Sequence, residues 1–227
     1  MELVATSALV NKRPVLGGIT KEDIEFPKLQ LQQKMSQLVD TGKAKPGDIM
    51  DSSSLKILAN ETLKVEFVPL SMSKSWIEFE GSGNDKKYIG TTLITPSNEH
   101  WGFEEVKEDG RLITRQKAMN WLVLLPFQFK DKVAIPYLLT FKSTSFRTGK
   151  KLATSVAMGA FFERPIYSMA YELYSSKRTS DKGMSFHLFE IGENRALSKE
   201  EMVICEKWLS NINEPVIEKE VEEVVPF

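Results

Sequence analysis

The chain has 227 residues, 41% hydrophobic and 27% charged, enough for one large domain or two small ones whose core needs no covalent staples. A single cysteine, Cys205, excludes an internal disulfide, and the longest apolar run, Trp121 to Phe127, is too short to cross a bilayer. The net charge of −1 hides an asymmetry: residues 214–227 carry five Glu and one Lys, which leaves 29 basic and 26 acidic side chains, a balance of +3, on residues 1–213. A slightly basic body with an acidic tail is a pattern found in polyanion binders.

In chain order, residues 1–26 mix small, polar and isolated apolar residues around Pro14 and Gly17-Gly18, and are expected to form an N-terminal arm. Met1 to Val10 has no basic start, so no signal peptide is expected. Phe26 to Gln32 alternates apolar and polar, a strand signal, and Lys45-Pro46-Gly47-Asp48 reads as a turn. Leu63 to Leu70 alternates, with Leu63, Val65 and Phe67 on one face. Ser75 to Phe79 reads as a second strand. A glycine-rich turn, Gly81 to Asp85, then leads into a third at Tyr88 to Ile94. The continuous apolar run Trp121 to Leu125 predicts a strand buried on both faces. Ile135 to Phe141, Ile166 to Tyr174 and Met184 to Ile191 complete the strands. Two helices are predicted. One covers Ser145 to Met158, with Gly149 as its weak point. The other opens on the capping box Ser198/Glu201 and carries Met202, Cys205, Trp208 and Leu209 at helical spacing.

Catalytic motifs are scarce. The two histidines, His100 and His187, lie 87 positions apart, and His187 falls in a strand pattern that could place it on either face. The chain has no phosphate-binding glycine loop, no Gly-x-Ser-x-Gly elbow and no Cys/His set at metal-ligand spacing. The acid pairs Glu104-Glu105 and Glu108-Asp109 read as a solvated loop around Gly110. No enzyme, cofactor or metal is therefore expected.

Cations and aromatics carry more information. Lys142 to Lys151 holds Lys142, Phe146, Arg147, Lys150 and Lys151, four hydroxyls and no acid, at a strand-to-helix junction; it reads either as a phosphate-binding stretch or as a solvated helix face. Lys74, Trp76, Phe79, Lys86, Lys87 and Tyr88 flank the glycine-rich turn, a cation-bearing hairpin whose rings could stack on unpaired bases. Trp76 and Phe79, three positions apart, face opposite sides of a strand. Trp76 is expected outside, because Ile77 and Phe79 can both serve the core. At the end of the chain, Glu222, Glu223, Pro226 and Phe227 combine acids, a restricted backbone and an aromatic whose carboxylate a Lys or Arg could hold.

That acidic segment ending in Pro-Phe resembles the C-terminal tip of bacterial and bacteriophage single-stranded DNA-binding proteins. Pro27 to Gln32 with Lys45 to Asp48, Val65 to Leu70, and Leu139 to Thr144 also resemble phage-encoded proteins described as such binders. The resemblance implies a mainly β (α+β) fold: an elaborated barrel of the oligonucleotide-binding (OB) type over residues 27–213, with one or two helices, the arm at 1–26 and a disordered partner-recruiting tail at 214–227. The implied function is coating single-stranded DNA without sequence specificity in replication or recombination. The tail would recruit replication or recombination proteins, in the cytoplasm of a bacterial host, without membrane contact and with self-association left open. A strand-annealing recombination mediator, a structural virion protein and a metal-dependent nuclease are the alternatives.

Overall fold

The fold is organised by two long strands. The computed structural model describes residues 25–83, 86–131 and 134–213, so the tail and nearly all of the expected arm lie outside the described residues. The elements are β1 (Lys28–Leu31), α1 (Gln37–Asp40), β2 (Ile49–Asp51), β3 (Ile57–Ala59), β4 (Val65–Glu80), β5 (Lys87–Leu93), β6 (Glu104–Val106), β7 (Leu112–Leu124), β8 (Tyr137–Lys142), α2 (Phe146–Phe161), β9 (Met169–Thr179), β10 (Ser185–Ala196) and α3 (Lys199–Asn213). The two strands expected at 63–70 and 75–79 are one 16-residue strand, β4. Leu63 stands before it, exposed, rather than on the face of Val65 and Phe67. The polar stretch Ser71 to Lys74 reads as a break because its side chains face solvent, yet its backbone continues the ladder with β7.

The sheet runs β10-β9-β4-β7-β8-β1-β2-β3, with β5 added to β4 and β6 to β7. Among the described residues all pairings are antiparallel except β1 with β8. β4 changes partner along its length: Val65–Phe67 pair with β9, and Ser75–Glu80 with β5. The switch follows a register shift between Pro69 and Ser71, where proline's missing N–H is tolerated. Beyond it, β5-β4-β7-β6 project as an extension of the eight-strand body.

The body curls into a half-barrel, and side-chain and loop contacts bridge from the β1–β3 end to β9 and β10. Ser175 N–H of β9 donates to the Asn60 carbonyl just after β3 (3.2 Å). The Gln33 amide imitates a strand backbone: its Nε2 donates to the His187 carbonyl (2.6 Å), and the His187 N–H donates to its Oε1 (3.0 Å). His187 is thereby placed inward, buried, with Nε2 2.7 Å from Glu61 Oε1.

Alternation along each strand divides the sheet into an inner and an outer face. The inner face gathers Phe67, Trp121, Val123, Leu139, Phe141, Tyr171, Leu173 and Phe189, with Leu152 of α2 laid across them. Gly149 lets the helix approach, since a β-carbon there would meet Phe141 Cβ at 2.8 Å. The outer face gathers Val68, Leu70, Leu124 and Ala170 against Leu197 and Cys205 of the α3 region. The run 121–125 is thus buried on both faces, as its continuous apolarity predicts. The capping box forms: Ser198 N–H donates to Glu201 Oε2 (2.8 Å), and Glu201 N–H donates to Ser198 Oγ (3.2 Å). Burial pushes the Cys205 thiol up to about 12, aided by the charge of Glu201, so it is a packing residue rather than a nucleophile.

The fold should lose stability in acid. At buried Asp51, burial alone would raise the pKa, but hydrogen bonds from Ser54 and Ser53 outweigh it and hold the carboxyl below its ordinary value. Arg195 does the same for Glu201. A carboxylate with a depressed folded-state pKa contributes stability above its unfolded pKa, near 4, and loses it as pH falls through the folded value. Thermal melts between pH 7 and 2.5 should show a Tm flat at the upper end and falling below about pH 4. Asp51→Asn should flatten part of that fall; an unchanged acid limb in the variant would remove Asp51 from the account.

Candidate nucleic-acid interface

The extension has one face covered by a returning loop and one face exposed at the hairpin tip. On the inner side, residues 95–103 fold back over the strands. Trp76 lies beneath them, 0% exposed, with its indole N–H donating to the Asn98 carbonyl (3.1 Å). Phe103 meets it edge-on at 5.8 Å, and Lys117 Nζ sits 4.8 Å from the ring centroid. The expectation that Trp76 faces outward is therefore corrected. Its alternation with Phe79 holds, but the covered side is Trp76's, because the loop carrying Asn98, Trp101 and Phe103 supplies a second small core there.

Arg115 belongs to that core. It is buried, ion-paired with Glu78 (Nε–Oε1 2.8 Å) and with Glu105 through Nη2, and its guanidinium stacks on Trp101 at 4.5 Å. Burial opposes its charge, but the bonds to Glu105 and Glu78 outweigh it and leave the pKa above the ordinary arginine value. Glu105, expected in a solvated loop, is instead a structural partner on β6, bonded also to Lys107.

The outer side of the extension is exposed at the hairpin tip and again at Thr91, Leu93 and Lys142, while Ile77, Ser75 and Ala118 between them are buried. Phe79 and Tyr88 are cross-strand partners, packed edge to face at 6.1 Å. Tyr88 is 58% exposed, and Lys86 Nζ lies 4.4 Å from the Phe79 centroid. Tyr88 OH and Thr91 Oγ1 are 3.0 Å apart. Cross-strand partners share a face, so the register continues this surface through Ile77 and Thr91, then Ser75, Leu93 and Ala118, to Lys142 at the end of β8. A polar line accompanies it: Asn120 Nδ2 donates to Ser75 Oγ (2.9 Å), and Thr140 Oγ1 donates to Asn120 Oδ1 (3.0 Å). From Thr114, opposite Phe79, to Asn120, opposite Thr140, the surface runs about 20 Å along β7.

The ten residues named from the sequence do not share one groove. Lys86, Tyr88 and Lys142 lie on the outer face, with Lys87 exposed beside them at the hairpin tip. Lys74 is exposed on the inner face, opposite Met119, whose sulfur lies 3.2 Å from where a Gly149 β-carbon would sit; it therefore neighbours α2. Arg147, Lys150 and Lys151 are exposed on α2, which packs on the inner face. Phe146 is partly buried against the inner core, with Lys150 Nζ 5.5 Å from its ring. The sheet separates the two sets, and they meet only at the end of β8, where Lys142 leads through a short 3-10 turn at Ser143–Ser145 into α2. Sequence reasoning named Phe79 but assigned it to the core. The signal that could have reversed this was the cluster Asn98, Trp101 and Phe103, a second set of large side chains needing an apolar partner. Glu222, Glu223, Pro226 and Phe227 lie outside the described residues.

Among the described residues no helix is long and apolar enough to cross a membrane. No curated protein and no solved structure gives a significant match to the chain. A family model does, over residues 6–210, which takes in every strand and most of α3: the chain belongs to the family described as Pam3 phage gp34-like protein.

Proposed function

We propose that this member of a phage-related family is a non-catalytic single-stranded DNA-binding protein, built on an elaborated barrel of the OB type, that coats replication or recombination intermediates without reading sequence. Among the described residues its sheet has ten strands, against five in the basic OB barrel, so the likeness is one of a curled β body rather than of strand count. The observation that carries the reading is the outer side of the β4–β5 hairpin, where an exposed tyrosine, a partly buried phenylalanine and a lysine stand together. Unpaired bases present ring faces to such a platform, and stacking tolerates any sequence. A strand laid there would pass the exposed Thr91 and Leu93 toward Lys142, then over the end of β8 toward Arg147, Lys150 and Lys151, which supply phosphate contacts. The acidic segment 214–227 is then the part that recruits replication or recombination proteins.

The test is a titration of labelled oligo-dT at two salt concentrations, with and without Mg²⁺, against duplex competitor. The expected result is a preference for the single strand with no cleavage. Affinity should fall with salt at a log–log slope of about −0.7 per phosphate contacted. Absence of binding in dilute buffer overturns the reading. Pairing of complementary oligonucleotides would favour an annealing mediator instead, and Mg²⁺-dependent degradation a nuclease.

A further inference from the structure

The C-terminal half of α2 is more apolar on its surface than a solvated helix needs to be. Met158 is 55% exposed and Phe162 64%, with Phe161 exposed beside it, ring against ring at 5.4 Å. Between this end of the helix and the segment that follows opens a cavity of about 250 Å³, lined by Met158, Phe162, Pro165, Ile166 and Met169, with Arg164 among its polar walls. Clusters of exposed large apolar side chains beside a concavity mark docking sites. Arg147, Lys151, Ser155, Met158 and Phe162 recur at spacings of four, four, three and four, so they form one stripe of the helix. The stripe is cationic at its start and apolar at its end, and Phe146–Phe161 contains no carboxylate.

We propose that residues 214–227 of this same chain dock along that stripe, with Val224 to Phe227 in the cavity and the preceding glutamates against Lys151 and Arg147. Three observations select this occupant. Charge is complementary: the segment holds five Glu against one Lys, and every charged side chain of α2 is a cation. Spacing agrees: Lys151 to Phe162 is 11 residues of helix, about 16 Å, and the four or five extended residues from Glu223 or Glu222 to Phe227 span about 13–17 Å. Reach suffices: the hydroxyl of Tyr167, next to the cavity-lining Ile166, donates to Glu206 Oε1 of α3 (3.2 Å), and α3 ends at Asn213, about 10 Å further along its axis. The docking shares Arg147 and Lys151 with the strand path proposed above but does not require that path, and it is tested without DNA.

In the full-length protein, Phe227 is replaced by the photo-reactive p-benzoylphenylalanine, the sample is irradiated, and cross-linked peptides are read by mass spectrometry. Cross-links are expected at Met158, Phe162 or Met169, at a yield that does not change with protein concentration. Arg147→Glu with Lys151→Glu, both at exposed positions, should lower the yield about fivefold in dilute buffer. Adding Glu222→Lys and Glu223→Lys to that protein should restore it. Cross-links scattered over the surface or confined to the Phe79–Tyr88 face overturn the proposal. So does a yield that rises with concentration, which would assign the cavity to a second copy, or a yield indifferent to both charge reversals.

Discussion

Trp76→Ala should lower the unfolding free energy by about 3–5 kcal/mol, the largest single-residue effect expected in this protein. The side chain is fully buried between β4 and the returning loop, and its removal empties the centre of the extension's small core. It also leaves the Asn98 carbonyl without the indole donor, a further penalty for a buried acceptor. Lys117, held over the ring, loses its cation–π partner. Trp76→Phe should recover most of the loss, because it refills much of the volume and forfeits mainly the hydrogen bond. Urea unfolding of the two variants checks this. A Trp76→Ala protein as stable as the parent would mean that the loop 95–103 does not cover the strand in solution. The same variant separates core from binding: at temperatures where Trp76→Phe is folded, its affinity for oligo-dT should equal the parent's, since the ring is not available to a base.

Tyr88→Ala should weaken oligo-dT binding by about 1–3 kcal/mol, roughly 5- to 150-fold, while leaving the melting temperature nearly unchanged. The side chain is mostly exposed, and its fold-related contacts are one hydroxyl bond to Thr91 and one edge contact to Phe79. Tyr88→Phe keeps the ring and should keep the affinity. Phe79→Ala should act in the same direction and combine less than additively with Tyr88→Ala, because the two rings touch. Salt dependence distinguishes the roles on this face. Loss of a stacking ring lowers affinity at every salt concentration and leaves the slope alone, whereas Lys142→Gln should reduce the slope by the contribution of about one phosphate. If Tyr88→Ala binds as tightly as the parent, the outer face is not where the strand lies, and the cations of α2 become the remaining candidates.

The sequence was most legible where a local rule sufficed. The alternation at 28–31, the unbroken apolar run at 121–125 and the capping box at Ser198 all appear in the structure, because each depends on residues within a few positions of one another. It was misleading where solvent contact resembles a break. Ser71 to Lys74 look like a loop, but their backbone is held by β7, which lies more than 40 positions away. The first half of β7, residues 112–120, was likewise hidden, because Arg115 and Lys117 are polar residues serving a core.

The candidate site shows the same division. From composition and spacing alone came a cation-bearing aromatic hairpin at 74–88, a cationic strand-to-helix junction at 142–151 and an acidic segment at the end of the chain. The order of the chain also determined that Trp76 and Phe79 must face opposite sides of their strand, since side chains alternate along any strand. Which of the two sides meets solvent was decided only by tertiary structure. A strand's two faces are equivalent until something distant covers one, and here the cover is a loop twenty residues further on that brings Asn98 and Phe103 onto Trp76. The division of the lysines has the same kind of cause: Lys142 projects from the outer face of β8, whereas α2 packs on the inner face and carries Lys151 there, although the two lie only nine positions apart.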